Sequence, residues 1–144
     1  MKVMVAGGFD PLGFSHISHM KSARELGDYL IVIVSRDNEL RRKKGYCLKP
    51  LWERMAIIQE LPFVDEVVAS SDGNGLVAMT LKEFRPDIFT KGGDRTPNNM
   101  PSEEIDACDE IGCEIIYNVG QDYSLHASDQ FRQAIEEYRT AWSI

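Results

Sequence analysis

A glycine-rich segment near the start of the chain has the residue types of a phosphate-binding loop. It runs GGFDPLGFSH from Gly7 to His16 and follows a short apolar stretch that ends at Ala6. Glycines let the backbone approach a ligand closely, and the amides at the N-terminus of a following helix attract an anion. The segment therefore predicts a phosphate site. The alternative is a strand-to-helix turn in which the glycines serve only the geometry of the chain.

Two later segments carry charged side chains that such a site would use. Arg41, Arg42, Lys43 and Lys44 form the one dense basic run of the chain, and Lys91 opens the sequence KGGD. We predict that the basic run is a loop. Taken alone, a basic run is usually solvated and an aspartate after two glycines is often a turn residue, so neither segment specifies a function by itself.

Composition excludes several classes of protein. The net charge of -7 repels polyphosphate chains, so we expect no nucleic-acid partner, although a small anion can still bind in a local basic pocket. The apolar stretch at residues 3–6 is too short for a signal peptide, and no segment approaches the roughly 20 apolar residues of a membrane span. We therefore expect a cytoplasmic protein without a membrane partner. Three cysteines without a CxxC spacing argue against a disulfide framework or a zinc site.

Apolar runs and helical periodicities alternate along the whole chain. The predicted strands are residues 2–6, 29–34, 64–69, 87–90 and 114–119. The predicted helices are residues 16–26, 50–61, 76–84, 102–111 and about 129–138. This order predicts an α/β fold with a doubly wound parallel sheet of Rossmann-like type, in a single domain covering residues 1–144.

The predicted sheet brings the charged segments together. In such sheets ligands bind beyond the carboxyl ends of the strands, near the point where the strand order reverses. The glycine-rich segment follows Ala6, the basic run comes after Val34, and KGGD follows Thr90. All three are predicted to open on the same edge of the sheet.

Together these segments resemble the nucleotidyltransferases of the cytidylyltransferase-like family, and the resemblance runs almost the whole chain. The first segment resembles the family signature GxFDxxHxGH. The stretch RKKGYCLKPLWERMAIIQELPFVDEV resembles the family's basic loop, arginine-bearing helix and VDEV strand. The stretch DIFTKGGDRTP is similar to the KGGD loop of heptose-phosphate adenylyltransferases, and a related loop occurs in glycerol-phosphate cytidylyltransferases.

The resemblance implies roles for individual residues. His16 and Lys44 would be the catalytic pair that contacts and neutralises the nucleotide phosphates, while Arg54 and Asp94 would contact the acceptor. The implied nucleotide-binding residues are Gly8, Phe9, Asp10, Gly13, Ser15, Lys91, Gly92, Gly93 and Ser128.

Two places depart from the family pattern. The first histidine of the signature falls on Gly13, and the glycine before His16 is replaced by Ser15. The C-terminal turn, STT in the family, here ends on Asp129 and places a negative charge near the phosphates. We predict either that Gly13 tolerates a histidine or that it adopts a positive φ which any side chain would strain. His19, one turn beyond His16, is interpreted as a packing histidine.

The implied reaction transfers a nucleoside monophosphate from CTP or ATP to a small sugar or polyol phosphate and releases pyrophosphate, with Mg²⁺ as cofactor. Such an acceptor is already ionised at neutral pH, because its second pKa is about 6, and it needs no general base. Losing one preorganised donor costs about 10² to 10³ in rate. The alternative hypothesis is therefore a catalytically impaired nucleotide-binding protein with a regulatory or assembly role. Under both hypotheses we expect the protein to be a homo-oligomer.

Overall fold

The computed structural model describes residues 1–93, 95–120 and 127–143, the side chains of residues 127 and 128 excepted. The strands are β1 (Lys2–Gly7), β2 (Tyr29–Val34), β3 (Glu66–Ala69), β4 (Ile88–Thr90) and β5 (Glu114–Ile116). The helices are α1 (Phe14–Arg24), α2 (Asp37–Lys44), α3 (Leu51–Gln59), α4 (Ala78–Phe84), α5 (Ser102–Ile111) and α6 (Ala127–Trp142).

The strands form one parallel sheet in the order β3-β2-β1-β4-β5. Val3 of β1 is paired with Leu30 of β2 on one side and with Ile88 of β4 on the other. The predicted fold class, a doubly wound parallel α/β sheet, is confirmed. Because β1 lies between β2 and β4, the loops after these three strands leave the same edge side by side, at the point where the strand order reverses.

Alternate residues of the central strands belong to two separate cores, which explains why β1 and β2 are almost continuously apolar. One core joins strand residues to α1 and α3: Val3, Val5, Val32, Met20 and Ile58. The other joins strand residues to α4 and α5: Met4, Ile31, Ile33, Leu81 and Ala107. The sheet is thereby held rigid from both faces beneath the loops of its carboxyl edge.

The basic run is helical, so the prediction that it is a loop was wrong. It forms the last turn of α2. Glu39 Oε1 accepts a hydrogen bond from the Arg36 N–H at 3.1 Å, and Gly45 ends the helix with a φ of 87°. Acidic residues in the first turn and basic residues in the last turn also complement the helix dipole. The one buried apolar residue, Leu40, leaves no periodicity that would reveal the helix in the sequence.

The final helix, α6, lies mostly on the surface. Its aromatic side chains Tyr138 and Trp142 are 63% and 71% exposed, and Trp52 of α3 is also 71% exposed. Neither tryptophan packs into the described core, and the expected homo-oligomer stays a prediction. None of the helices in the described part of the chain has both the length and the apolar character that a membrane crossing requires.

Candidate functional site

Other side chains occupy the space beside the two glycines at the end of β1 and the start of the following loop. A Cβ on Gly7 would lie 2.8 Å from Cζ of Phe9, and a Cβ on Gly8 would lie 2.6 Å from Cδ2 of Leu40. Phe9 is buried at a φ of 52°, and its ring meets the His16 ring edge-on at a centroid distance of 5.3 Å. This packing would suit a purely geometric role for the glycines, so a phosphate site requires positive charges around the loop as well.

His16 lies in the first turn of α1 and is oriented by Gly13, the N-cap residue that precedes the helix. The Gly13 N–H donates a hydrogen bond to His16 Nδ1 at 3.0 Å. The neutral ring therefore carries its proton on Nε2, which makes Nε2 a hydrogen-bond donor. Gly13 has an extended backbone, with φ -122° and ψ 173°. Of the two alternatives for Gly13, the positive φ was therefore wrong, and a side chain there meets no strain from this torsion.

Lys44 extends from the end of α2 to the glycine-rich loop. Its Nζ lies 3.6 Å from the position that a Cβ on Gly8 would occupy. Burial lowers the pKa of Lys44, the Asp10 carboxylate raises it, and the neighbouring cations lower it, so that it lies below its ordinary value. Arg41, Arg42 and Lys43 are exposed, whereas Lys44 is half-buried. Lys44 is thus the member of the basic run that is placed beside the loop.

A second cation, Arg132 of α6, lies next to Lys44. Its Nη2 donates to the Lys44 carbonyl oxygen at 2.9 Å, and its guanidinium lies 5.9 Å from the centre of the Tyr46 ring. The rings of Tyr46 and Phe131 pack at 5.5 Å. These contacts dock the start of α6 beside the end of α2. Arg132 was not predicted as a site residue, although its position in the first turns of the predicted last helix was a signal for it.

Asp10 holds the segment that follows α2 against the glycine-rich loop. The residue is fully buried, and its two carboxylate oxygens accept hydrogen bonds from the backbone N–H groups of Leu48 at 2.6 Å and Lys49 at 2.8 Å. Both oxygens are therefore already engaged within the protein. A contact between Asp10 and the nucleotide stays a prediction, and the bonds described here give Asp10 a structural role.

Arg54 joins the loops after β1 and β2 from within the protein. It is 1% exposed, and Nη1 donates to the carbonyl oxygens of Gly8 at 2.9 Å and Ser35 at 2.6 Å. Nε donates to the Lys49 carbonyl oxygen at 2.8 Å, and Nη2 donates to Asp37 at 2.7 Å. A contact with the acceptor stays a prediction, while these four bonds assign Arg54 to the support of the site.

The Arg54 guanidinium also determines the ionisation of its carboxylate partner. Burial raises the pKa of Asp37, but the hydrogen bonds from Arg54 and Cys47 outweigh this effect and hold the pKa below its ordinary value. The buried guanidinium and this carboxylate therefore form a charged pair beneath the loops.

The loop after β4 begins with a buried ion pair. Lys91 Nζ lies 3.4 Å from Glu104 Oε1 and 4.5 Å from the centre of the Phe89 ring. Burial lowers the pKa of Lys91, Glu104 raises it, and Arg95 and Lys43 lower it, so that it lies below its ordinary value. Glu104 was not predicted as a site residue, because an acidic residue in the first turn of a helix is common without any function.

His19 connects α1 to the strand ends on the β4 side. Its Nδ1 lies 2.9 Å from the Val119 carbonyl oxygen and its Nε2 lies 2.9 Å from Thr90 Oγ1. Val119 O can only accept, so Nδ1 carries a proton and, in the neutral ring, Nε2 accepts from the threonine hydroxyl. Both ring nitrogens are engaged in protein contacts, which supports the interpretation of His19 as a packing histidine.

Besides Asp10, Gly13 and Arg54, which support the loop and His16 through hydrogen bonds, the predicted site residues fall into three groups. Gly8, Phe9, His16 and Lys44 lie together around the glycine-rich loop. Ser15 is the second residue of the adjacent helix α1, and Lys91, Gly92 and Gly93 follow the neighbouring strand β4. Asp94 lies outside the described residues, and Ser128 lies in α6 with its side chain outside the description.

Comparison with known proteins assigns the chain to a family. The model of the family described as cytidylyltransferase-like matches residues 4–143. The chain belongs to the cytidylyltransferase-like family. The resemblance seen in the sequence motifs is therefore confirmed, and the loop, helix end and cations described above lie within the matched domain.

Two curated relatives of this cytidylyltransferase-like chain are similar over most of its length. The bifunctional protein HldE of Haemophilus ducreyi is 39% identical over 111 residues, which are 76% of this chain and 22% of HldE. The FAD synthase of Pyrococcus abyssi is 35% identical over 96 residues, which are 66% of this chain and 64% of that protein. The chain thus spans less than two thirds of either relative.

Solved structures show the same fold. A lipopolysaccharide core biosynthesis protein from Thermoplasma volcanium is 30% identical, with a TM-score of 0.72 over 85% of this chain and 98% of that one. Thermotoga maritima TmcAL, solved with alpha-thio ATP, has a TM-score of 0.70 over 96% of this chain and 51% of that one. At 14% identity, TmcAL is evidence for the fold alone.

Proposed function

We propose that this cytidylyltransferase-like chain transfers a nucleoside monophosphate from CTP or ATP to a small sugar or polyol phosphate, with release of pyrophosphate. The observation that carries the proposal is the placement of Lys44 Nζ 3.6 Å from the Cβ position of Gly8. The N-terminus of α1 directly follows the same loop, and His16, with its Nε2 donor, lies in the first turn of that helix. A cation, a neutral donor and a helix end at one glycine-rich loop form a site for a polyphosphate.

The reaction needs alignment and charge stabilisation rather than a protein nucleophile. An oxygen of the acceptor phosphate forms a bond to the α-phosphorus while the bond from that phosphorus to the bridging oxygen breaks, and pyrophosphate leaves with its electron pair. Lys44 and His16 would stabilise the charge that develops on the phosphoryl oxygens. The relationship to a FAD synthase and the motif resemblance to heptose-phosphate adenylyltransferases support this chemistry.

The described residues do not fit a resident Mg²⁺ site. They hold no group of three or more His, Cys, Asp or Glu side chains placed to bind a metal ion. Asp10, the carboxylate of the glycine-rich loop, already accepts two backbone hydrogen bonds. Mg²⁺ often binds mainly through substrate phosphates, so we assign it to the nucleotide substrate and give it no site on the protein.

A nucleotide-binding protein without transferase activity is the second candidate. The observation that favours it is Gly13, which has no side chain to donate to a phosphate at the place of the first signature histidine. The same cations and helix end would still hold a triphosphate, so the two candidates share a binding site and differ in turnover.

Two measurements on the same protein separate these candidates. Thermal melting with Mg²⁺ and each of ATP, CTP, GTP and UTP reports binding, because a ligand of the native state raises the melting temperature. Pyrophosphate release with the same triphosphates and a panel of sugar and polyol phosphates reports transfer. Release that requires an acceptor supports the transferase, whereas binding without release supports the second candidate. No binding by any triphosphate at millimolar concentration would overturn both.

A further inference from the structure

Glu104 has a buried carboxylate oxygen that accepts no hydrogen bond within the described part of the chain. The residue is 4% exposed. Its Oε2 accepts from the Val77 N–H at 3.2 Å, whereas Oε1 has no hydrogen-bond partner. Lys91 Nζ, 3.4 Å from Oε1, is beyond the roughly 2.8 Å of a charge-assisted hydrogen bond. The ion pair therefore balances the charge of Glu104 without satisfying its hydrogen bonding.

An unsatisfied buried carboxylate oxygen is costly, because it gives up hydrogen bonds that water supplies in the unfolded chain. Most buried polar groups in native proteins have a partner, and an exception requires a specific explanation. Here the exception lies at the binding edge of the sheet. Lys91 directly follows β4, and Glu104 lies in the first turn of α5. A ligand group bound at this edge could therefore complete the pair.

The chemistry of the pair selects a hydroxyl. A phosphate has only acceptor oxygens at neutral pH and would be repelled by the Glu104 carboxylate, while a metal cation or an amine would be repelled by the Lys91 ammonium. A hydroxyl both donates and accepts, so one such group can donate to Glu104 Oε1 and accept from Lys91 Nζ.

We propose that Glu104 and Lys91 form a subsite that recognises a sugar or polyol hydroxyl of the substrates. The proposal rests on the proposed function, because the hydroxyl belongs to the ribose of the nucleotide or to the phosphorylated acceptor. It gives Lys91 a different task from Lys44, with Lys44 acting on the phosphates and Lys91 on a neutral group.

The test measures the affinity of matched ligands by isothermal titration calorimetry with the whole chain. The nucleotide arm compares ATP and CTP with their 2′-deoxy and 3′-deoxy forms. The acceptor arm compares glycerol phosphate and glucose 1-phosphate with propyl phosphate, which lacks free hydroxyls. In the arm whose ligands supply the hydroxyl, the compound that has it should bind about 10- to 100-fold more tightly than its counterpart without it. This is the effect expected of a hydrogen bond to a charged group. The arm that responds identifies the source of the hydroxyl.

Glu104→Gln tests whether the subsite causes this discrimination. The glutamine oxygen can still accept from the Val77 N–H, but the amide NH₂ then takes the place of Oε1 and cannot accept a hydroxyl proton. The affinity ratio should fall below about threefold, on the scale of a lost hydrogen bond to a charged group. Glu103→Gln, at an exposed position in the same helical turn, is the matched control and should leave the ratio unchanged. If Glu104→Gln does not fold, Lys91→Met removes the donor of the same pair and should lower the ratio as well.

The outcomes separate this proposal from the proposed function. Triphosphates that bind the parent without discrimination in either arm would overturn the subsite and leave the transferase proposal in place, and Oε1 would then be satisfied by water alone. The subsite would also be overturned if the affinity ratio between hydroxyl-bearing compounds and their counterparts stayed the same in both Glu104→Gln and Lys91→Met. No binding by any of the compounds would overturn both proposals.

Discussion

Gly13 orients the His16 ring through a hydrogen bond from its N–H to His16 Nδ1 at 3.0 Å. The bond is half of a capping box, in which the side chain of the third helical residue accepts a hydrogen bond from the backbone N–H of the N-cap residue. It also places the proton of the neutral ring on Nε2. The two ring nitrogens of His16 therefore have separate tasks. Nδ1 caps the start of the helix, and Nε2 is a hydrogen-bond donor.

Replacing His16 with asparagine or glutamine should separate these tasks. Asparagine places its oxygen near the position of Nδ1, so His16→Asn should keep the bond to the Gly13 N–H and stay within about 1 kcal/mol of the parent in unfolding free energy. It lacks the Nε2 donor, and its affinity for ATP or CTP should fall about tenfold or more. His16→Gln should keep more affinity and lose more stability. Equal effects of the two changes on both quantities would contradict this division.

The sheet and its binding edge were predictable from the sequence because they depend on local patterns. Apolar runs ended by glycine or polar residues mark β1 and β2, and alternation with helices implies parallel strands whose loops share an edge. The short helix α2 was not predictable, because a single buried apolar residue, Leu40, provides no helical period.

The supporting contacts of the site were not predictable because they join residues far apart in the chain. Asp10 meets the Leu48 amide 38 positions later, and Arg54 meets the Gly8 carbonyl 46 positions earlier. In the sequence both residues look like ligand contacts, since a charged side chain in a motif gives no sign of burial. The Lys91 and Glu104 pair was hidden for the same reason, because it forms only when α5 packs beside the end of β4.

The affinity for nucleotide should fall at alkaline pH because the pKa of Lys44 is below its ordinary value of 10.5. A bound triphosphate favours the ammonium form and raises this pKa, so binding takes up a proton once the pH exceeds the lowered pKa. The affinity should therefore begin to fall below pH 10.5. Titrations with MgATP or MgCTP between about pH 7.5 and 10 measure the effect, since the phosphates are fully ionised there.

Lys44→Arg is the variant that isolates this effect, because arginine stays protonated over the whole range. Its affinity should change little with pH. Arg41→Ala, an exposed change in the same helix, should keep the parent profile. An equally steep profile in Lys44→Arg would show that another group, such as Lys91, is responsible.

Arg54→Met should be among the most destabilising changes in the chain. It removes the donors to the Gly8 and Ser35 carbonyls and leaves Asp37 without its charged partner. Arg54 is buried but Asp37 is 32% exposed, so most of the loss comes from carbonyl oxygens left without a donor and should be about 2–4 kcal/mol in all. Urea unfolding monitored by circular dichroism measures the loss.

Arg139→Met provides the matched control for Arg54→Met. Arg139 is 73% exposed and 3.8 Å from Glu136, so its removal should cost no more than about 0.5 kcal/mol. If the unfolding free energy of Arg54→Met fell by less than about 1 kcal/mol, the structural role assigned to this residue would be wrong.

Gly13→His restores the first histidine of the signature and decides between the two candidate functions. The extended backbone at Gly13, with φ -122° and ψ 173°, accepts a side chain, so the variant should fold. Glycine is a fair residue at the start of a helix, and Gly13→His and Gly13→Ala should each cost up to about 1 kcal/mol. If a missing phosphate donor limits turnover, Gly13→His should raise pyrophosphate release by up to about 10² to 10³, and Gly13→Ala should not. An unchanged rate in a folded, nucleotide-binding Gly13→His protein would favour a protein that binds nucleotide without transferring it.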